Sequence, residues 1–245
     1  MNDKKAFSVS EALKFGFSKF IEHFFLFLKI IVTKVAIYLL TGLPFFIISF
    51  FFMRFHAVQV YKVIGLLGRL MRIFEIVLSK PLISLGFLLC VGLLIFVHVF
   101  LELGAVRIAL DIYNKNTSTL SQLFSQSSKL WTGFLACILY GIICTLGFLF
   151  FIIPGIFFIV VFGLYKYIIV EQDKGAIESL LESYRLVFKA PLLIFILVCI
   201  LTLLYLVTGP FSILIMTIGK LIYAFVYKRL KSGERSPETY ATYDM

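Results

Sequence analysis

The chain has 245 residues, of which 61% are hydrophobic and 17% aromatic, with a mean hydropathy of +1.05. Soluble globular domains hold nearer half their residues as apolar, so this composition excludes an ordinary water-soluble fold and points to a chain solvated by lipid. Its 23 basic and 13 acidic residues leave a net charge of +10; the basic residues cluster beside apolar runs, which favours anionic phospholipid surfaces as partners and argues against nucleic acid.

In chain order, the first 23 residues carry Lys4, Lys5, Glu11, Lys14, Lys19 and Glu22 with no small-residue cleavage site behind the apolar run that follows, so no removable signal peptide is expected. Within this stretch, Val9, Ala12, Leu13, Gly16 and Phe20 share one helical face. The apolar stretches then run from Phe24 to Met53, Pro81 to Leu101, Leu130 to Ile153, Gly155 to Val170, Pro191 to Val207 and Phe211 to Tyr227. Each is near the length of about 20 residues that one helical crossing needs, and none alternates apolar with polar as a barrel strand does. Six transmembrane helices are predicted. Pro154-Gly155 interrupts the uncharged run between Leu130 and Tyr165, and Gly209-Pro210 interrupts that between Ala190 and Gly219, marking the turns of two helical hairpins.

The positive-inside rule orients the chain. With the N-terminus in the cytoplasm, fourteen Lys and Arg residues fall on the inner side and five on the outer, those five being Arg54, Lys62, Arg69, Arg72 and Lys80. Both termini are therefore expected to be cytoplasmic. Residues 54–80 read as an amphipathic helix inserted on the outer surface, from the spacing of Val58, Tyr61, Ile64, Leu67, Met71 and Phe74. Pro44 is read as a kink or an early exit from the first span.

An internal repeat accompanies this topology. Leu120, Leu123, Phe124, Ser127 and Trp131, and again Ile177, Leu180, Leu181, Tyr184 and Phe188, repeat the offsets 0, 3, 4, 7 and 11 of the Val9 set, and a proline follows each closing aromatic after 22 to 24 residues. Two readings stand: three units of interfacial helix plus hairpin about a pseudo-threefold axis, or the common association of amphipathic helices and prolines with membrane spans. Ser8 with Glu11 and Thr119 with Gln122 have capping-box spacing, and Asp173 is placed to cap the third amphipathic helix. The expected organisation is a single six-span, all-α domain over residues 1–231, three hairpins with cytoplasmic interfacial helices, followed by a polar, disordered tail at 232–245.

The segments Ile152-Ile153-Pro154-Gly155-Ile156, Tyr167-Ile168-Ile169-Val170-Glu171 and Ser179-Leu180-Leu181-Glu182-Ser183-Tyr184-Arg185 resemble the YciC-like bacterial inner-membrane proteins and the related membrane domain of some glycerophosphoryl diester phosphodiesterases. The opening Phe7-Ser8-Val9-Ser10-Glu11-Ala12-Leu13 and the closing Tyr227-Lys228-Arg229-Leu230-Lys231 are similar too. The resemblance implies a six-helix protein of the bacterial inner membrane and no catalytic residue.

Chemistry-bearing patterns are few. Glu102 and Glu171 fall at the ends of predicted spans, so no acid is expected in mid-membrane, which argues against proton-coupled transport. Arg107 and Asp111 form an i, i+4 pair. His23, His56 and His98 lack metal-ligand spacing, and Cys90, Cys137, Cys144 and Cys199 read as small packing residues, so no metal, cofactor or disulfide is expected. No serine lies in a nucleophile motif.

Three lysines stand out inside apolar spans: Lys34, Lys166 and Lys220. Lys220 is about 12 Å of helix from Lys228, at 1.5 Å per residue. Either the stems snorkel to the head groups, or the ammonium groups line a basic pocket that holds an anionic head group. The leading functional expectation is a non-enzymatic scaffold or lipid-associated accessory protein. The alternative is a transporter or binder of an amphiphilic or lipidic anion, with an intramembrane enzyme ranked third.

Overall fold

A computed structural model describes residues 7–61, 68 and 81–232. Those residues form nine α-helices and three short 3₁₀ turns, with no strand among them. The helices are α1 (Val9–Glu22), α2 (Phe24–Tyr61), α3 (Pro81–Lys115), α4 (Leu130–Phe150), α5 (Ile152–Phe162), α6 (Tyr165–Gln172), α7 (Ala176–Val187), α8 (Pro191–Thr208) and α9 (Ser212–Ser232). Five segments are long and apolar enough to cross a membrane: Phe24–Ile47, Leu88–Lys115, Leu120–Phe150, Ile152–Gln172 and Pro191–Thr208. Many of their large side chains face outward, among them Leu149, Ile153, Leu192 and Leu206. Exposure of that much apolar surface is what a lipid solvent, not water, tolerates.

The chain divides into two units, one of residues 32–98 and one of residues 7–31 with 99–232. In the smaller unit, α2 continues through Pro44 to Tyr61 instead of ending or leaving the span there. At 38 residues it is about 57 Å long, well beyond one bilayer core. Residues 54–61 thus belong to this helix. The rest of the 54–80 insertion, apart from residue 68, and the tail beyond Ser232 lie outside the described residues.

In the larger unit, α1 packs along α9, α4 along α5, and α7 against α4, α5 and α6. The α1 face predicted from spacing is the one that packs: Ala12, Gly16 and Phe20 are buried, and a Cβ at Gly16 would collide with the Ile222 side chain of α9. Phe20 stacks on Phe27 with centroids 5.5 Å apart. It therefore anchors the start of α2 and does not mark a lipid boundary.

The other two copies of the repeat differ. The Leu120 segment forms two 3₁₀ turns, Leu120–Phe124 and Ser127–Lys129, and of its proposed face only Leu123 is buried. What fixes it is the Leu123 backbone resting on Gly104 of α3, where any Cβ would fall on the Leu123 carbonyl. Helix α7 does form, and of its proposed face Leu180 is buried while Ile177, 64% exposed, Leu181, Tyr184 and Phe188 face outward. Ser179 and Ser183 share the buried side with Leu180, Leu186 and Val187.

The turns are likewise set by local chemistry. Between α4 and α5 the helix breaks at Phe151, which is extended, three residues ahead of Pro154. Pro154 lies in the first turn of α5, where its missing N–H costs nothing. Gly147 and Gly155 let the two helices approach, a Cβ on Gly147 standing 3.0 Å from the Gly155 Cα. At the other predicted turn, Gly209 has φ +50°, which a residue with a side chain adopts only at a cost.

Capping agrees at one of the three predicted positions. The Thr119 N–H donates to Gln122 Oε1 at 3.2 Å, completing that capping box. Ser8 makes no side-chain cap, and Glu11 pairs with Arg229 of α9 at 3.0 Å. Asp173 does not start α7 either: it ends α6 in the left-handed conformation, φ +56°, while Gly175 occupies the N-cap and donates its N–H to Glu178 Oε2 at 3.3 Å.

Candidate functional site

Glu102 lies on α3 directly after the uncharged run Pro81–Leu101. Helix α3 continues for more than three turns past it, burying Leu103, Val106, Leu110 and Ile112. In the folded chain Arg107 and Asp111 satisfy each other at 3.0 Å, and Asp111 is buried.

Glu102 is 8% exposed, and a carboxylate in that position needs compensating cations. Lys220 Nζ of α9 lies 3.1 Å from its Oε1, and Lys166 Nζ of α6 lies 3.6 Å from its Oε2. Two of the three lysines singled out by sequence thus meet on one acid. Lys34, the third, is on α2 in the smaller unit and is not among the residues of this site.

Local structure explains how Lys166 arrives there. The Ile152–Gln172 segment is broken between Phe162 and Tyr165, at Gly163 and Leu164, so α6 starts afresh just before Lys166. The break frees the Val161 carbonyl and the Leu164 N–H from helical pairing. Ser183 of α7 satisfies both: its hydroxyl donates to Val161 O at 2.8 Å and accepts from Leu164 N–H at 3.2 Å. At the far end of α6, Lys129 donates to the carbonyls of Ile169 and Val170 and pairs with Asp173 at 3.2 Å, where a cation complements the helix dipole. Tyr167 O–H donates to the Lys220 carbonyl at 2.9 Å, tying α6 to α9 beside the ion triad.

The triad opens on a cavity of about 340 Å³. Tyr140, Tyr165, Tyr167, Tyr205 and Tyr223 contribute to its walls, with Val198, Leu201 and Thr202 of α8 and Ile215 and Met216 of α9. Gly163 and Gly219 stand where a larger side chain would project into it. From Ile215 to Tyr223 the wall follows α9 for about 12 Å. The space is thus an elongated slot, mainly apolar, with two ammonium groups and one carboxylate in its lining. Such a combination suits an amphiphile whose charged head meets Lys166 and Lys220 while its chain lies against α8 and α9.

Other basic residues expected to form an open surface are paired. Glu171 accepts from both Lys228 and, at 2.9 Å, Lys231; Lys174 pairs with Glu182 at 3.2 Å, and Lys19 with Glu22 at 2.7 Å. His98 lies 2.9 Å from the Tyr38 hydroxyl through Nδ1, inside the smaller unit, as a packed histidine does. Among the described residues no group of histidine, cysteine and carboxylate side chains is arranged to hold a metal ion. No family model, no curated protein and no solved structure matches this chain.

Proposed function

We propose that this chain is a non-enzymatic, six-span membrane protein that binds an anionic amphiphile at Lys166 and Lys220. The observation that supports the reading is the direction of Lys220: its ammonium group lies against Glu102 and the slot, with the side chain 17% exposed. A charge placed at mid-helix costs about 2.5 to 3.5 kcal/mol on insertion scales, a cost that a bound anion offsets. The apolar walls from α8 and α9 give the chain of such a ligand a place to lie.

In this reading α9 is the sixth crossing, both termini are cytoplasmic, and the membrane is the inner membrane of a bacterium, as the resemblance to YciC-like proteins implies. The imbalance of Lys and Arg supports the orientation. Cysteine labelling at Lys62→Cys, Thr117→Cys and Tyr240→Cys tests it: only the first is expected to react from outside. Labelling of either of the others from that side overturns the topology.

A second reading is favoured by the close approach of Glu102 to Lys220, 3.1 Å: a scaffold in which the triad is only a structural tie. Native mass spectrometry on detergent-purified protein separates the two. The neutral pair of changes Glu102→Gln with Lys220→Met leaves the site's net charge unchanged, yet removes one of two head-group donors. Loss of retained anionic lipid in that variant, with monodisperse, helical protein, supports binding; unchanged retention leaves the scaffold.

A further inference from the structure

Resting on the reading of the slot as an anion site, we infer that it selects a membrane lipid whose phosphate carries a hydroxyl-bearing substituent such as glycerol, and that Thr202 and Tyr223 recognise those hydroxyls. Hydroxyl groups around the slot are of two kinds. Thr208 donates to the Tyr205 carbonyl at 3.3 Å and Thr217 to the Ile213 carbonyl at 2.9 Å, each closing on its own helix as a helical threonine ordinarily does. Tyr167 donates to the Lys220 carbonyl, and Tyr140 and Tyr165 face the thiols of Cys144 and Cys137. Thr202 and Tyr223 also line the slot, yet neither hydroxyl makes a hydrogen bond among the described residues. A hydroxyl without a partner in a membrane span is costly, so the partner comes from what enters the slot.

The geometry places both hydroxyls beside the cations. A Cβ on Gly219 would lie 4.0 Å from Leu201 Cδ1, which sets the level of α9 against α8. Thr202 follows Leu201 and Lys220 follows Gly219, so the two start from the same level, and Tyr223 stands less than one helical turn beyond Lys220. The two non-bridging oxygens of a phosphodiester are matched by the ammonium groups of Lys166 and Lys220. The hydroxyls that remain meet the substituent. An ammonium group can only donate, whereas Thr202 and Tyr223 can both donate and accept, which is what a ligand hydroxyl requires.

Toward the Gly209 turn the slot is open. Tyr205 also makes no hydrogen bond among the described residues, but it stands at this rim with Met216, and the two are 43% and 48% exposed. Beyond them the outward surface of α8 and α9 carries Leu203, Leu206 and Ile213. A lipid can therefore keep its chains in the bilayer while its head group enters sideways to Lys166 and Lys220.

Native mass spectrometry of the full chain in uncharged detergent measures the choice. The probes are dioleoyl phosphatidylglycerol and dioleoyl phosphatidylethanol, offered in equal amounts; they share chains and a single negative charge and differ in the hydroxyls. Phosphatidylglycerol is expected to be retained about tenfold more, which one or two net hydrogen bonds supply. Equal retention overturns the inference and leaves the anion site standing. Retention of neither above the level of dioleoyl phosphatidylcholine removes the anion site itself, and the inference with it. The double variant Thr202→Val, Tyr223→Phe keeps the shape of both side chains and is expected to bring the ratio close to one while phosphatidylethanol retention is unchanged. A preference that survives both substitutions, or a parallel loss of both lipids, overturns the role of the two hydroxyls. Thr217→Val, whose hydroxyl is spent on Ile213, is expected to keep the preference; its loss there too would trace the effect to packing and overturn the assignment. Glycerol 3-phosphate at the same concentration is expected not to displace phosphatidylglycerol. Displacement would make the soluble polyol phosphate the ligand and overturn the lipid source.

Discussion

Replacing Lys220 by methionine keeps most of the stem's volume and removes the cation 3.1 Å from Glu102. Were the lysine idle, the change would be neutral or favourable, because a costly charge leaves the middle of a helix. The observed pairing reverses the sign. Breaking a buried ion pair from one side costs about 3–5 kcal/mol, because the remaining charge is stranded. Here Lys166 remains at 3.6 Å, and the side chains of Lys220 and Lys166 are 17% and 25% exposed, so the lower part of that range applies. We expect Lys220→Met to lose about 3 kcal/mol. The double change Glu102→Gln, Lys220→Met is expected to lie within about 1 kcal/mol of the unaltered protein. Unfolding by titration with SDS in mixed micelles, followed by far-UV circular dichroism, measures all four corners of the cycle. A Lys220→Met protein as stable as the unaltered one would refute the argument.

Three further outcomes follow from packing and charge. Gly104→Ala is expected to cost more than about 2 kcal/mol, because its methyl meets the Leu123 backbone, which cannot rotate away; Gly141→Ala, with open space at its Cβ, serves as the control in the same unfolding assay and gains about 0.5–1 kcal/mol of helix propensity. Ser183→Ala leaves the Val161 carbonyl and Leu164 N–H without their bridge and is expected to cost about 1–3 kcal/mol, with faster hydrogen exchange at Leu164. Hydrogen bonds from Lys19 and Asn116 hold the Glu22 carboxyl below its usual range. Its folded pKa is thus lower than its unfolded one, so its contribution is complete above the unfolded value and disappears as pH falls through the folded one. The stability difference between the unaltered protein and Glu22→Gln should shrink accordingly on acidification, and a difference independent of pH would contradict the assignment.

Much of the helical architecture is written in runs that need no partner to be recognised. The apolar lengths and their Gly and Pro interruptions locate the breaks near residues 151 and 209, because an uncharged helix must end where its backbone cannot continue. The facing of α7 was not legible in the same way. An apolar stripe identifies the buried side only when the surroundings are water; against lipid, Ile177, Leu181 and Tyr184 are at home outside, while the small side chains of Ser179 and Ser183 permit close packing and the Ser183 hydroxyl bridges a broken helix. The Leu120 segment shared the spacing of a helix but is held by a glycine on another helix, Gly104, which no local pattern reveals.

The site shows the same division. Lys166 and Lys220 stand out in sequence because each is a charge inside an apolar run. In the sequence Glu102 reads as the end of a span, because Arg107 and Asp111 follow it. The signal that was available is charge pairing: two lysines inside apolar runs of separate helices call for an acid, and Glu102 directly follows the uncharged run Pro81–Leu101. Their proximity is a property of the tertiary packing of α3, α6 and α9, over separations of 64 and 118 residues.

The most direct test of the anion slot is to find where a lipid head and chain come to rest. A long-chain alkyl phosphate bearing a photoreactive group on its tail, bound to the purified protein and irradiated, should mark α8 and α9 peptides containing Leu201, Tyr205, Ile215 or Met216, and excess hexadecyl phosphate should abolish that labelling. Labelling confined to outward-facing residues such as Trp131, Leu149 or Leu192, undiminished by the competitor, would contradict the account.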